Sequence, residues 1–159
     1  MMRLRQSDFE RLLQLRTGLR RFLRWSEKQA QAAGLTPAQH QLLLAIKGHP
    51  GRSDPTVGDV ADHLVLRPHS ASELIARAAT AGLVVRTSDP NNGSVVRVSL
   101  TPTGVRKLNA LAETHLQELA HLAPTMQALW RALEKAGGSA PHPAAQRRDG
   151  PTSRSSGAA

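Results

Sequence analysis

The chain contains no cysteine. That excludes disulfides, thiolate nucleophiles, cysteine-based metal sites and a thiol redox sensor. It contains no apolar run of about eighteen residues, so no membrane-spanning helix is expected. Its start, "MMRLRQSDFERLL", is charged where a secretory signal needs an apolar core. A cytoplasmic protein is the expectation. There is no glycine-rich phosphate loop, no nucleophile motif and no recognisable pair of carboxylates, so the reading is not an enzyme and no cofactor is expected. The serines of "PHSAS" have only His69 beside them, and that adjacency is read as coincidence.

Across 159 residues the formal net charge is +9. The first 33 residues hold eight Arg and Lys against three Asp and Glu. A basic chain favours a polyanionic partner, while the plain alternative is a solvated, arginine-rich surface. For the first segment, whose apolar stripe fits a dimer core, solvated or partner-paired arginines are preferred over a DNA arm.

Hydrophobic spacing predicts mostly helix. Over about 8–33, Phe9, Leu12, Leu15, Leu19, Phe22 and Leu23 recur at three and four as one stripe, ended by Gly34. Thr36, Pro37 and Gln39 mark a second start, with Leu42, Leu43 and Ile46 facing inward and a stop at Gly48 and Pro50. Thr56 and Asp59 cap a short third helix, "VGDVADHL". Pro68 opens a fourth, "PHSASELIARAATAG", with Ala71, Leu74, Ile75 and Ala78 inward and Gly82 at its end. "LVVRTSDPNNGSVVRVSL" is then a hairpin, its tip expected at Asn92-Gly93 in a turn that takes positive φ at both residues. After Thr101 and Pro102 a long helix is expected to about Leu122, its stripe being Leu108, Leu111, Ala112, His115, Leu119 and Leu122. Pro124 should break it before a last helix to about Ala136. Residues 137–159 lack large apolar side chains and are expected to be a disordered tail.

Short helix, tight connection, second helix and hairpin make a winged helix-turn-helix. The fold class expected is mainly α with a small β-hairpin: one domain over 1–136, the winged unit at about 37–100, and dimerisation helices at about 8–33 and 102–136. The outward face of the fourth helix offers Arg67, His69, Ser70, Ser72, Glu73 and Arg77, groups able to reach base edges and phosphates of double-stranded DNA. Arg77 suits a bidentate contact with guanine or a phosphate clamp, and Glu73 can accept from cytosine N4. The hairpin tip, projecting beside that helix, reaches an adjacent minor groove or the backbone.

"GLTPAQHQLLLAI…TVGDVADHLVLRPHSASELIARAATAGLVVRTSDPNNGSVVRVSLTPTG" resembles the MarR family of bacterial winged-helix regulators. The resemblance covers roughly 34–122, through the "LT…Q" helix start, "GLV.R", "DP" before the wing tip and "LT..G" after it. It implies a homodimer whose first and last helices interlock, placing two winged lobes on a pseudo-palindromic site. It also implies a recognition helix in the major groove, a wing in the minor groove, and in many relatives release by a small, often aromatic, anion. The implied wing contacts here are Arg86, Asn91, Asn92, Gly93, Ser94 and Arg97. The family wing commonly continues "DP" with one residue and then Asp-Arg-Arg, and that arginine is absent. Glu73 stands where relatives often carry a basic or neutral residue. The alternative function is a winged-helix protein-interaction module without specific DNA binding.

Seven histidines raise a metal site, but the pairs His63/His69 and His115/His121 lack helical ligand spacing, so none is expected. His115, on the buried stripe, is expected to be structural. For His40 a structural role is weighed against an effector contact.

Overall fold

The computed structural model describes residues 4–137. Five helices and one hairpin follow in the order α1 (Gln6–Ala32), α2 (Pro37–Lys47), α3 (Val57–Leu64), α4 (Pro68–Thr80), β1 (Val84–Asp89), β2 (Asn92–Leu100) and α5 (Pro102–Gly137). The expected tail begins at the last residue of α5 and otherwise lies outside the described residues. None of the helices among these residues is long and apolar enough to cross a membrane.

The helix starts follow local chemistry. Thr36 Oγ1 accepts from the Gln39 backbone N–H at 3.1 Å while the Gln39 side chain accepts from Thr36 N–H at 2.9 Å. Thr56 and Asp59 make the same reciprocal pair at α3. Each satisfies donors that a helix start leaves without partners. At the other end, Gly34 and Gly82 take φ of 72° and 69°. The N–H groups of Leu35 and Leu83 then turn back to the carbonyls of Ala30 and Ala78.

One core joins all of these elements. Leu42, Leu43 and Ile46 of α2, Val60 and Ala61 of α3, and Ala71, Leu74, Ile75 and Ala78 of α4 are buried with Leu83, Val84, Val98, Leu108 and Leu111. The small Ala71 and Ala78 let α4 sit closely on its neighbours. The inward faces of α2 and α4 are those their spacing predicts.

Two expectations are corrected. The hairpin turns at Pro90-Asn91, since Asp89 pairs with Asn92. Neither Asn92 nor Gly93 has positive φ. Pro90 pre-sets its own φ, and the Asp89 carboxylate accepts from the Asn91 and Asn92 N–H groups at 2.8 and 3.2 Å, so this turn wins over Asn-Gly. The register then jumps, with Ser88 opposite Val96, and Gly93, Ser94 and Val95 bulge from β2. Second, α5 runs through Pro124 as one helix of 36 residues. An interior proline removes one backbone bond and costs about 3 kcal/mol. Packing against α1 continues on both sides of it: His115 meets Ser26 before it, and after it Met126 lies against Gly18 and Leu129 is buried. In the single chain the stripe of α1 divides. Leu15 and Phe22 are half-buried, whereas Phe9, Leu12, Leu19 and Leu23 are exposed, because α5 covers only one side of the helix.

Candidate nucleic-acid interface

The α3–α4 pair and the wing form one end of the fold. Four alanine and leucine-type side chains anchor the inner face of α4, and the opposite face is open. Arg67, His69, Ser70, Glu73 and Arg77 are exposed there, with Ser72 half-buried at its margin. His69 Nε2 stands 3.3 Å from Glu73 Oε1, both side chains more than half exposed, so this pair is weak. Arg67, Ser70, Ser72 and Arg77 have no side-chain hydrogen bond or ion pair among the described residues. These four groups meet water, and exchanging water for a base edge or phosphate breaks no protein bond.

The approach to α4 is unusual. Val65, between α3 and α4, has φ 54° and ψ 43°, and it is 92% exposed. A β-branched residue in this left-handed region is strained. The turn fixes where Arg67 and Pro68 begin the helix.

The wing is built differently. Asp89 is buried, and beyond its two backbone donors it receives Nε–H of Arg97. The Asn91 backbone N–H, then the Arg97 hydrogen bond and charge, hold its carboxyl below the ordinary aspartate range despite desolvation. Arg97 also donates from Nη1 to the Asp54 carbonyl at 2.7 Å, and Val98 N–H reaches the Pro55 carbonyl at 2.9 Å. The loop before α3 is thus sewn to β2. Asn92 Oδ1 accepts from the Ser94 N–H and hydroxyl at 3.2 and 2.6 Å. Of the wing residues singled out by the sequence, Arg86 and the Asn91 side chain, both exposed, lack such engagements among the described residues, while Gly93 offers backbone alone.

His40 lies elsewhere, where α2 meets α1 and α5. It is 6% exposed and lines a cavity of about 90 Å³ with Leu23, Ser26, Glu27, Pro37 and Gln41. Its ring centroid is 4.7 Å from that of His115. Burial, and then His115, push its pKa below the ordinary histidine value, which favours the neutral ring. The Nδ1–H of His115 donates to the Leu111 carbonyl at 2.7 Å, and its Nε2 lies 2.7 Å from Ser26 Oγ. Trp25 and Phe22 pack around the same ring. His115 is therefore the structural tie between α1 and α5 that its place on the stripe predicts.

Spacing along the sequence missed two histidine pairs. His40 and His115 are one; the other is His49 and His63, with Nδ1 and Nε2 3.0 Å apart on the α2–α3 loop and α3. Asp59, nearby, is held below the ordinary aspartate range: desolvation raises it, but the hydrogen bonds from Thr56, and then the electrostatic influence of His49 and His63, outweigh that. Among the described residues no group of three or more such side chains is placed to hold a metal ion.

The model of the MarR family matches residues 33–93. No curated protein matches the chain. Three solved structures illustrate the likeness. A MarR family protein from Bacillus stearothermophilus is 22% identical, with TM-score 0.66 over 85% of this chain and 96% of that one. A mutant MarR from E. coli complexed with operator DNA is 20% identical, with TM-score 0.59 over 75% and 89%. The PcaV transcriptional regulator from Streptomyces coelicolor, in complex with its natural ligand, is 22% identical, with TM-score 0.54 over 74% and 86%. The matched segment holds the helix-turn-helix and the first strand of the wing, and the whole described chain, flanking helices included, shares the winged-helix fold of these structures.

Proposed function

We propose that the chain is a DNA-binding transcriptional regulator, a repressor that occupies a pseudo-palindromic operator as a homodimer in the cytoplasm. The observation that carries this reading is the open face of α4. Arg67, Ser70, Ser72 and Arg77 stand without protein partners on a helix fixed from behind, beside a wing of stable shape. Such groups read base edges and clamp phosphates in a major groove. The likeness to a MarR structure holding operator DNA supports it. We assign the chain no reaction.

The dimer is supported by apolar surface that one copy leaves open. Phe9, Leu12, Leu19 and Leu23 of α1 are 46–52% exposed, and Leu116, Leu119 and Trp130 of α5 are similarly open. Long helices with apolar faces of this extent bury them against another chain.

A small aromatic or anionic effector is part of the proposal, with His40 as its contact. Its cavity joins the frame helix α1 to α2 of the winged lobe, so occupancy there couples to lobe position. At about 90 Å³ it takes a carboxylate-sized group, and a ring requires α1 and α2 to part.

Fluorescence anisotropy on a duplex from the chain's own promoter region, against scrambled DNA across a salt series, tests the reading. Tighter promoter binding at one dimer per duplex supports it. Equal, weak and steeply salt-dependent binding to both sinks it. A second reading, a protein-interaction module, is favoured by the engagement of Arg97, which leaves the wing tip without a free arginine. Arg77→Ala leaves partner capture unchanged under that reading and weakens duplex binding roughly tenfold to a hundredfold under the first.

A further inference from the structure

The helix α1 has a third face that neither the core nor the proposed dimer uses. At about 100° per residue, Leu15, Gly18, Phe22 and Ser26 point toward α5, and Leu12, Leu19 and Leu23 form the open apolar stripe. Thr17, Arg20, Arg21, Arg24, Trp25 and Lys28 line a groove of about 340 Å³ on the far side of the helix from that stripe. A partner copy seated on the stripe leaves this groove open.

Its chemistry is divided. The floor is the half-buried Trp25 ring, held from behind by Phe22 at 5.8 Å and His115 at 4.9 Å, together with the aliphatic stems of the arginines. The rim is four cations, and none of them has an ion pair or side-chain hydrogen bond among the described residues. Arg20 with Arg24, and Arg24 with Lys28, are like charges four residues apart, which disfavours a helix in the absence of an anion. Guanidinium groups stack on planar rings and grip phosphate bidentately. From Arg20 to Lys28 the helix rises roughly 12 Å. The groove volume is in the range of small-molecule sites. A monocarboxylate neutralises one of four charges, whereas a ring with a polyphosphate meets both the floor and the whole rim.

We propose that this α1 groove binds a nucleoside polyphosphate, its base on Trp25 and its phosphates on Arg20, Arg21, Arg24 and Lys28. The site is separate from α4, the wing and the His40 cavity, and its test needs no DNA.

The chain has two tryptophans, Trp25 and Trp130. In a Trp130→Phe protein, Trp25 is the sole reporter. Titration with adenosine triphosphate is expected to quench its fluorescence saturably. Arg24→Ala/Lys28→Ala in that background should weaken binding at least tenfold with unchanged helical circular dichroism and unchanged promoter-duplex affinity. Adenosine and inorganic triphosphate should each bind at least tenfold more weakly than the whole ligand. Absence of saturable quenching overturns the proposal. So does equal affinity for inorganic triphosphate, which marks a general polyanion patch, or loss of duplex affinity in the double variant, which assigns the rim to DNA.

Discussion

On α4, Arg67, Ser70, Ser72 and Arg77 make no side-chain bond among the described residues. On the wing, Asp89, Asn92, Ser94 and Arg97 are bonded to one another or to the loop before α3. Both regions are rich in polar groups, yet α4 holds most of its set free while the wing engages most of its own. A side chain already bonded within the protein gives up that bond to reach DNA, and the exchange gains little. A free one exchanges only water. Under the proposed function the contrast separates the two: α4 is to discriminate sequence, and the wing is to supply a fixed shape with Arg86 and Asn91 as its remaining contacts.

The strongest way to break that division is Arg77→Ala. Loss of a bidentate base contact is worth about 1–3 kcal/mol, so duplex affinity should fall roughly tenfold to a hundredfold with relaxed sequence preference. Because Arg77 is exposed and unpaired, its Tm should hold, as a melting curve will check. Arg97→Ala should behave in the opposite sense. It removes the links to Asp89 and to the Asp54 carbonyl, so Tm falls by several degrees and affinity falls with it, while preference for promoter over scrambled DNA is retained. A variant that loses preference at full Tm would make Arg97 a direct reader.

Acid sharpens the same contrast. The Asp89 pKa is lowered in the fold, so its contribution is complete above the ordinary aspartate value and is lost as pH falls through the depressed one. In an NMR titration the Asp89 carboxyl should show a midpoint below the ordinary value, and the Asn91 and Asn92 amide shifts should follow it. The α4 amides should not respond over that step. A midpoint at the ordinary value would remove the turn cap from the account.

Arg86→Ala should have a smaller effect: a few-fold loss of affinity, equal on promoter and scrambled duplexes, with the salt slope reduced by about one. Smallest is Val65→Gly. Relief of left-handed strain, about 1–2 kcal/mol, is offset by the chain entropy of glycine, about 0.5–1 kcal/mol. Chemical denaturation should show a net stabilisation of roughly 0.5–1 kcal/mol.

Much of this architecture is legible in the sequence because it is local. Thr36 with Gln39, Thr56 with Asp59, and the glycines at 34 and 82 act within a few residues, and each falls where the chain pattern puts it. The exposed face of α4 follows from its buried one. The wing turn is not legible because two local turn signals compete within five residues, and the Asp89 cap with Pro90 decides between them. The engagement of Arg97 joins residues 43 apart, and no spacing rule reaches that far. The break expected at Pro124 does not occur, since its cost is local while the α1 packing that offsets it is not. The pairing of His40 with His115 likewise needs the tertiary fold.

The most direct test of the division is the ratio of promoter to scrambled-duplex affinity, measured by anisotropy at one salt concentration for the unaltered chain, for Arg77→Ala, and for Arg86→Ala/Asn91→Ala. The account predicts a ratio that collapses toward one in the α4 variant and persists in the wing variant, whose affinities fall in parallel. A ratio that survives Arg77→Ala and collapses in the wing variant would contradict it, and would place sequence reading in the hairpin.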